Sequence, residues 1–287
     1  MKFEYRHVDV FSPRPYCGNS LPVFPDARGL SAGQMLSITK ELRHFEAIFL
    51  EPQTDSRGVC ARVFDLCQEL RFAGHPVIGA AAVLHEKSAQ NGERTWDFNL
   101  SGRRVAVVTK RTETGYFGFL EQGTPEHFGS VKAATWVAAS FGLQQRDLRS
   151  DLPLEVISTG LRYLIVPVVP GALERARIAG DISANLRSVG AEFAVLFDES
   201  TLEIRHWTND GMLEDIATGS AAGTIGAYRL RQELARAGEI FILNQGRFTG
   251  RPSTLLVQPE GTPGEIANVR VGGDVALVGR GELEIVP

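Results

Sequence analysis

The chain has 287 residues, 43% apolar and 22% charged, enough for two ordinary globular domains with separate cores. With 30 Lys plus Arg against 34 Asp plus Glu, the net charge of −4 carries no basic footprint for nucleic acid or anionic lipid, which excludes those partners. Three cysteines (Cys17, Cys60, Cys67) are too few and oddly numbered for a disulfide framework, and the six histidines lack metal-ligand spacing, so no metal site is expected.

The N-terminal stretch has no apolar core of the kind a secretory signal needs, and no run reaches membrane-span length; a cytoplasmic location is the expectation. Residues 2–10 and Ser20 to Phe24 read as strands, separated by a tight connection marked by Pro13, Pro15, Gly18 and Asn19. Ser31 to Gln34 is a capping box, which predicts a helix over about 32–43. The strand Phe45 to Leu50 sets one carboxylate, Glu46, on the same side of the pleat as Ile48 and Leu50. Burial disfavours the charged form of such a group and moves it toward the range useful for proton transfer. The same residue type also serves as the ion-pair partner of an arginine at a strand end, and both readings stand.

Arg62-Val63-Phe64 is strand-like. Phe72-Ala73-Gly74-His75-Pro76 then opens a run of small apolar residues long enough for a helix, and strands follow at Arg94–Leu100, Arg104–Thr109 and Gly115–Leu120. Apolar content drops over 123–129, and Ser130 is read as the cap of a helix containing Ala133, Trp136, Val137 and Phe141. Further strands are expected at Leu154–Ser158, Arg162–Val168, Ala191–Phe197 and Glu203–Thr208. Asp215-Ile216-Ala217-Thr218-Gly219-Ser220 opens a second small-residue helix, expected to stop at Gly238. The remaining strands are placed at Glu239–Leu243, Thr254–Gln258, Asn268–Val271, Val275–Val278 and Glu282–Val286.

The two halves repeat one order: an Arg-x-aromatic strand (Arg62, Arg205), a carboxylate five residues before a glycine (Glu69, Glu214), then a small-residue helix. A helix that is small and apolar nearly all round must be sheathed by other structure. Its N-terminus suits an anion. The domains are therefore read as 1–125, completed by 279–287, and 126–278, with an active-site cleft between them.

Gly18-Asn19, Glu46, Phe72 to Pro76, Glu214-Asp215 with Ala217 to Ala221, and Gln245-Gly246 with Gly250 to Ser253 resemble, in order, the motifs of the PhzF family of phenazine-biosynthesis-like isomerases and epimerases. The resemblance implies an α+β, diaminopimelate epimerase-like fold, with two pseudo-symmetric halves, each a mostly antiparallel β-barrel wrapped around a central α-helix. It implies cofactor-independent proton transfer on a small carboxylate-bearing substrate such as trans-2,3-dihydro-3-hydroxyanthranilate, and a homodimer. By position Glu46 matches the proton-transferring glutamate, while His75 and Asp215 match its polar partners. Gly74, Gly219, Ser220 and Asn19 match substrate-binding positions. On the residues alone, His75 also reads as a helix-start histidine and Asp215 as a turn residue.

Related racemases of this fold carry a cysteine at each helix start; the matching positions here are Ala73 and Thr218, which disfavours two-thiol racemisation. This chain also departs from the family pattern at Ser20, Phe45, Asp65-Leu66 and Trp207-Thr208-Asn209. Two other functions stay open: an amino-acid epimerase of the same fold, and a non-catalytic binding protein for small acidic metabolites.

Overall fold

The computed structural model describes residues 2–52, 58–132, 135–284 and 287. The chain divides into two compact units, Met1–Glu121 with Gly272–Pro287, and Gln122–Val271. Composition had set those boundaries a few residues later, at 125/126 and 278/279.

In the first unit β1 (Phe3–Val10), β2 (Asn19–Phe24), α1 (Ala32–Leu42), β3 (Glu46–Pro52), β4 (Val59–Asp65), the short β5 (Glu69–Leu70) and α2 (Gly74–Ser88) come first. β6 (Arg94–Leu100), β7 (Arg103–Arg111) and β8 (Gly115–Glu121) follow. The strands run in the order β1-β2-β3-β4-β6-β7-β8 and then the chain's last strand, which pairs back onto β1 to close a barrel. The barrel encloses α2, most of whose residues are buried, as its lack of a polar face requires. Strand alternation sorts β3: Ala47 and Phe49 join Phe3, Phe24, Met35 and Ile38 in an outer cluster under α1, leaving Glu46, Ile48 and Leu50 on the face toward α2. The predicted capping box on α1 is present, with Gln34 N–H donating to Ser31 Oγ.

The second unit contains β9 (Glu126–Val131), α3 (Thr135–Ser140), β10 (Leu154–Ser158), β11 (Arg162–Pro167), α4 (Ala172–Arg175), α5 (Ser183–Ser188), β12 (Phe193–Asp198) and β13 (Glu203–His206). Then come α6 (Gly219–Arg231), β14 (Phe241–Gln245), β15 (Ser253–Thr262) and β16 (Glu265–Leu283), the chain's last strand. Its strand order is β16-β15-β14-β13-β12-β11-β10-β9, packed about a buried α6. An outer cluster including Val137, Phe141, Leu164, Val166, Leu196 and Trp207 covers the other face of the sheet.

Three sequence expectations are corrected. Ser130 lies in β9 opposite Glu155 rather than capping a helix. α6 stops at Arg231, two residues before Glu233 adopts φ 58°, not at Gly238. The three strands expected after residue 268 are one strand of 19 residues. Ala133 and residues 285–286 lie outside the described residues.

Candidate active site

Glu46 opens β3 and His75 sits in the first turn of α2, so a strand start and a helix start are brought together inside one barrel. Glu46 Oε2 lies 3.5 Å from His75 Nδ1, and both side chains are buried. The N-cap of α2 is Ala73, which offers no side-chain bond to the helix start. Gly74 is the first helical residue and Asn19, also buried, opens β2. Ile48 and Leu50, on the Glu46 face of β3, are both fully buried.

In the second unit Asp215 organises the turn before α6. Its Oδ2 accepts from Thr218 Oγ1 at 2.6 Å and its Oδ1 from the Ala217 N–H at 3.4 Å. Gln245, a residue with no role assigned from sequence, closes the ring. Its Nε2 donates to the Asp215 carbonyl (2.9 Å) and to Thr218 Oγ1 (3.0 Å), and its Oε1 accepts the Thr218 N–H (2.8 Å). Gly246 beside it has φ +83°, and a Cβ there would strike the Arg251 carbonyl and lie 2.7 Å from that of Ile216, so only glycine brings β14 against the turn.

Thr218 is thus the N-cap of α6 with its hydroxyl committed to Asp215. Gly219 and Ser220 form the first turn. The Gly219 carbonyl accepts from Gln122 Nε2 (2.8 Å), and Ser220 Oγ lies 2.9 Å from the Tyr163 hydroxyl. Tyr163 and Gln122 had no sequence signal beyond strand propensity.

The repeated Arg and Glu prove to be partners. Arg62 forks onto Glu69 (2.8 and 2.6 Å) and Arg205 onto Glu214 (2.8 and 2.6 Å), fixing each strand to the segment that leads into its helix. Hydrogen bonding within the first fork holds the Glu69 carboxyl below the usual range and the Arg62 guanidinium above it. The departures from the family pattern also have local jobs. Asp65 accepts the N–H groups of Cys67 and Gln68, both at 2.6 Å, and so shapes its own turn. Ser20 Oγ bridges His7 Nε2 (2.7 Å) and His44 Nδ1 (2.9 Å). The Trp207 ring stacks under the Arg205 guanidinium, whose central carbon lies 4.4 Å from its centroid.

Strand pairing matches the two units residue by residue. Arg62 faces Phe49 across β3 and β4, and Arg205 faces Leu196 across β12 and β13, in antiparallel register both times. Counting back from Phe49 and Leu196 sets Glu46 against Phe193: the first unit holds a carboxyl where the second holds a phenyl ring.

A helix sheathed by strands in each unit is the α+β, diaminopimelate epimerase-like architecture, and proteins similar to this chain include isomerases and epimerases. The family model described as phenazine biosynthesis-like protein (PhzC-PhzF) matches residues 8–281, and the chain belongs to that family. A predicted epimerase from Pseudomonas aeruginosa superposes with a TM-score of 0.93 at 44% identity, covering 99% of each chain. The trans-2,3-dihydro-3-hydroxyanthranilate isomerase of the same species is 29% identical over 96% of this chain and 98% of its own length. A hydroxyproline epimerase from Agrobacterium vitis shares the fold alone, with a TM-score of 0.68 at 14% identity over 98% of this chain and 92% of its own.

Proposed function

We propose that the chain moves a proton on a small carboxylate-bearing substrate, without a cofactor, using Glu46 as the single acid–base group. The observation that carries this reading is the register match of Glu46 with Phe193, which gives the second unit no carboxyl at the corresponding place. The two N-cap residues supply no second base either: Ala73 has no ionisable side chain, and the Thr218 hydroxyl is bound to Asp215.

In the proposed cycle the Glu46 carboxylate takes a proton from a C–H bond, and the electron pair delocalises into the adjoining unsaturated system. The same carboxyl then returns that proton to another carbon. No electrons leave the substrate and one face suffices. His75, with Nδ1 3.5 Å from Oε2, positions the Glu46 carboxyl. Gly74 and Asn19 in the first unit, and Gly219 and Ser220 on the turn built by Asp215, bind acidic or polar groups of the ligand. The substrate class is that of trans-2,3-dihydro-3-hydroxyanthranilate, which the relative's name carries, or a related amino or hydroxy acid.

The test is a screen of small amino and hydroxy acids in deuterated water with mass detection, repeated with Glu46→Gln. Exchange should fall about 10²- to 10⁴-fold on losing the base; undiminished turnover refutes the assignment. Epimerisation is the second reading, favoured by the 44% identical predicted epimerase. Deuterium at an inverted carbon identifies it, whereas a positional shift identifies isomerisation.

A further inference from the structure

One buried imidazole in the second unit has no part in the reading above. His206 ends β13, where alternation with Arg205 turns its side chain inward toward α6. Its ring meets Tyr163 edge-on at 5.4 Å between centroids and Phe193 at 5.7 Å. Tyr163 in turn holds Ser220 in the first turn of α6, and the N–H of Asp215 donates to the His206 carbonyl. His206 therefore sits beside the helix start, next to the phenyl that takes the place of the Glu46 carboxyl.

The ring's tautomer is fixed. Nδ1 lies 2.9 Å from the Ala194 carbonyl, which can only accept, so Nδ1 carries the proton and Nε2 the lone pair. No described residue hydrogen-bonds Nε2, although the residue is only 6% exposed. Burial holds the imidazole below the usual histidine range against the pull of Asp215, which keeps it neutral and an acceptor.

We propose that His206 is the specificity-determining residue of the α6 turn, and that its Nε2 receives an N–H or O–H group next to the carboxylate of an amino or hydroxy acid. A helix start suits the carboxylate and the imidazole suits the neighbouring donor, so the two together distinguish a substituted acid from a plain one. This rests on the reading of the turn as an acid-binding site.

The experiment uses the full chain and two probes, anthranilate and benzoate, which differ by one amino group. Titration calorimetry should show anthranilate binding about tenfold more tightly, the factor one neutral hydrogen bond supplies. His206→Phe should bring anthranilate down to the affinity of benzoate and leave benzoate unchanged, whereas His206→Gln, which keeps an acceptor oxygen, should retain most of the preference. In wild-type protein labelled with 15N-histidine, the unprotonated Nε2 resonance should shift with anthranilate and not with benzoate. That measurement decides the matter even where the phenylalanine variant does not fold. Equal affinities in the wild type, binding of neither probe, or a preference that His206→Phe keeps overturns the proposal. Because binding is read without turnover, loss of the Glu46 mechanism and loss of this subsite give different results.

Discussion

The duplicated Arg–Glu fork provides its own control, because the same pair occurs at two depths. The Arg205 and Glu214 side chains are 9% and 14% exposed, while those of Arg62 and Glu69 are 30% and 34% exposed. Arg205 also donates Nη1 to the carbonyls of Leu173 and Ala176, and its guanidinium stacks on Trp207 and Phe248. Arg205→Met removes the cation, strands the Glu214 carboxylate in a mostly desolvated place and leaves two carbonyls short of a donor. Breaking one side of a buried pair costs about 3–5 kcal/mol. Arg62→Met, at a site water can reach, should cost about 1 kcal/mol or less. The double variant Arg205→Met/Glu214→Met removes the stranded charge and should recover much of the loss, although the carbonyls stay unpaired. Since a chain of two units need not unfold in one step, hydrogen exchange on β13 and β4 peptides is the assay, read alongside urea unfolding. Equal losses for the two arginine variants, or a double variant as unstable as Arg205→Met, would show that burial does not set the worth of these forks.

Further predictions concern single groups. Thr218→Val removes the donor to Asp215 Oδ2 and the acceptor for Gln245 Nε2, and should destabilise the second unit by about 2 kcal/mol in urea unfolding; an unchanged midpoint contradicts the hydrogen-bonded ring. Gly246→Ala forces a Cβ into φ +83° and against two carbonyls, so it should cost more than the roughly 1–2 kcal/mol of the backbone strain alone. A loss below that, by thermal or urea unfolding, means the turn is looser than it is drawn. The Asp151 carboxyl is pulled down to about 2 by its bonds from Arg149. Its ionised form therefore favours the fold above the unfolded value of 3.8, and that contribution fades as pH falls through about 2. Carbon-detected NMR titration should give a midpoint near 2 for Asp151, moving up toward 3.8 in Arg149→Ala; a midpoint already near 3.8 in the wild type removes the fork.

What the sequence revealed, and what it hid, follows from the length scale of each signal. The two small-residue helices announced their sheaths because a helix with no polar face has one physical remedy. Leu154–Ser158 was legible as a strand because its residues are buried on both faces. β9 was not, because its sequence, Glu126 to Val131, is largely exposed and includes Gly129 at φ +113°; it pairs on one side only, with β10, and has no apolar face to give periodicity. The continuous last strand was hidden by its glycines: at Gly272 a Cβ would collide with Phe119, so a residue that reads as a break marks a close crossing of strands. The motifs singled out Glu46 and His75, which the fold sets 3.5 Å apart. The Gln245–Thr218–Asp215 ring was not legible, because its members are 27 and 30 residues apart and only the fold brings them together.

The two units show how a duplicated scaffold divides its labour. The forks of Arg62 and Arg205 and the helix starts at Gly74 and Gly219 are retained in both, and each does a job that any ligand would need done: holding a strand to a turn and presenting a helix N-terminus. The positions that differ are those facing the helix from the neighbouring strands, where Glu46 matches Phe193 and Val63 matches His206. Phe193 packs edge-on against the imidazole of His206. The two units thus differ at matching register positions, a carboxyl and a valine in the first against a phenyl ring and an imidazole in the second, an asymmetry that side chains alone create.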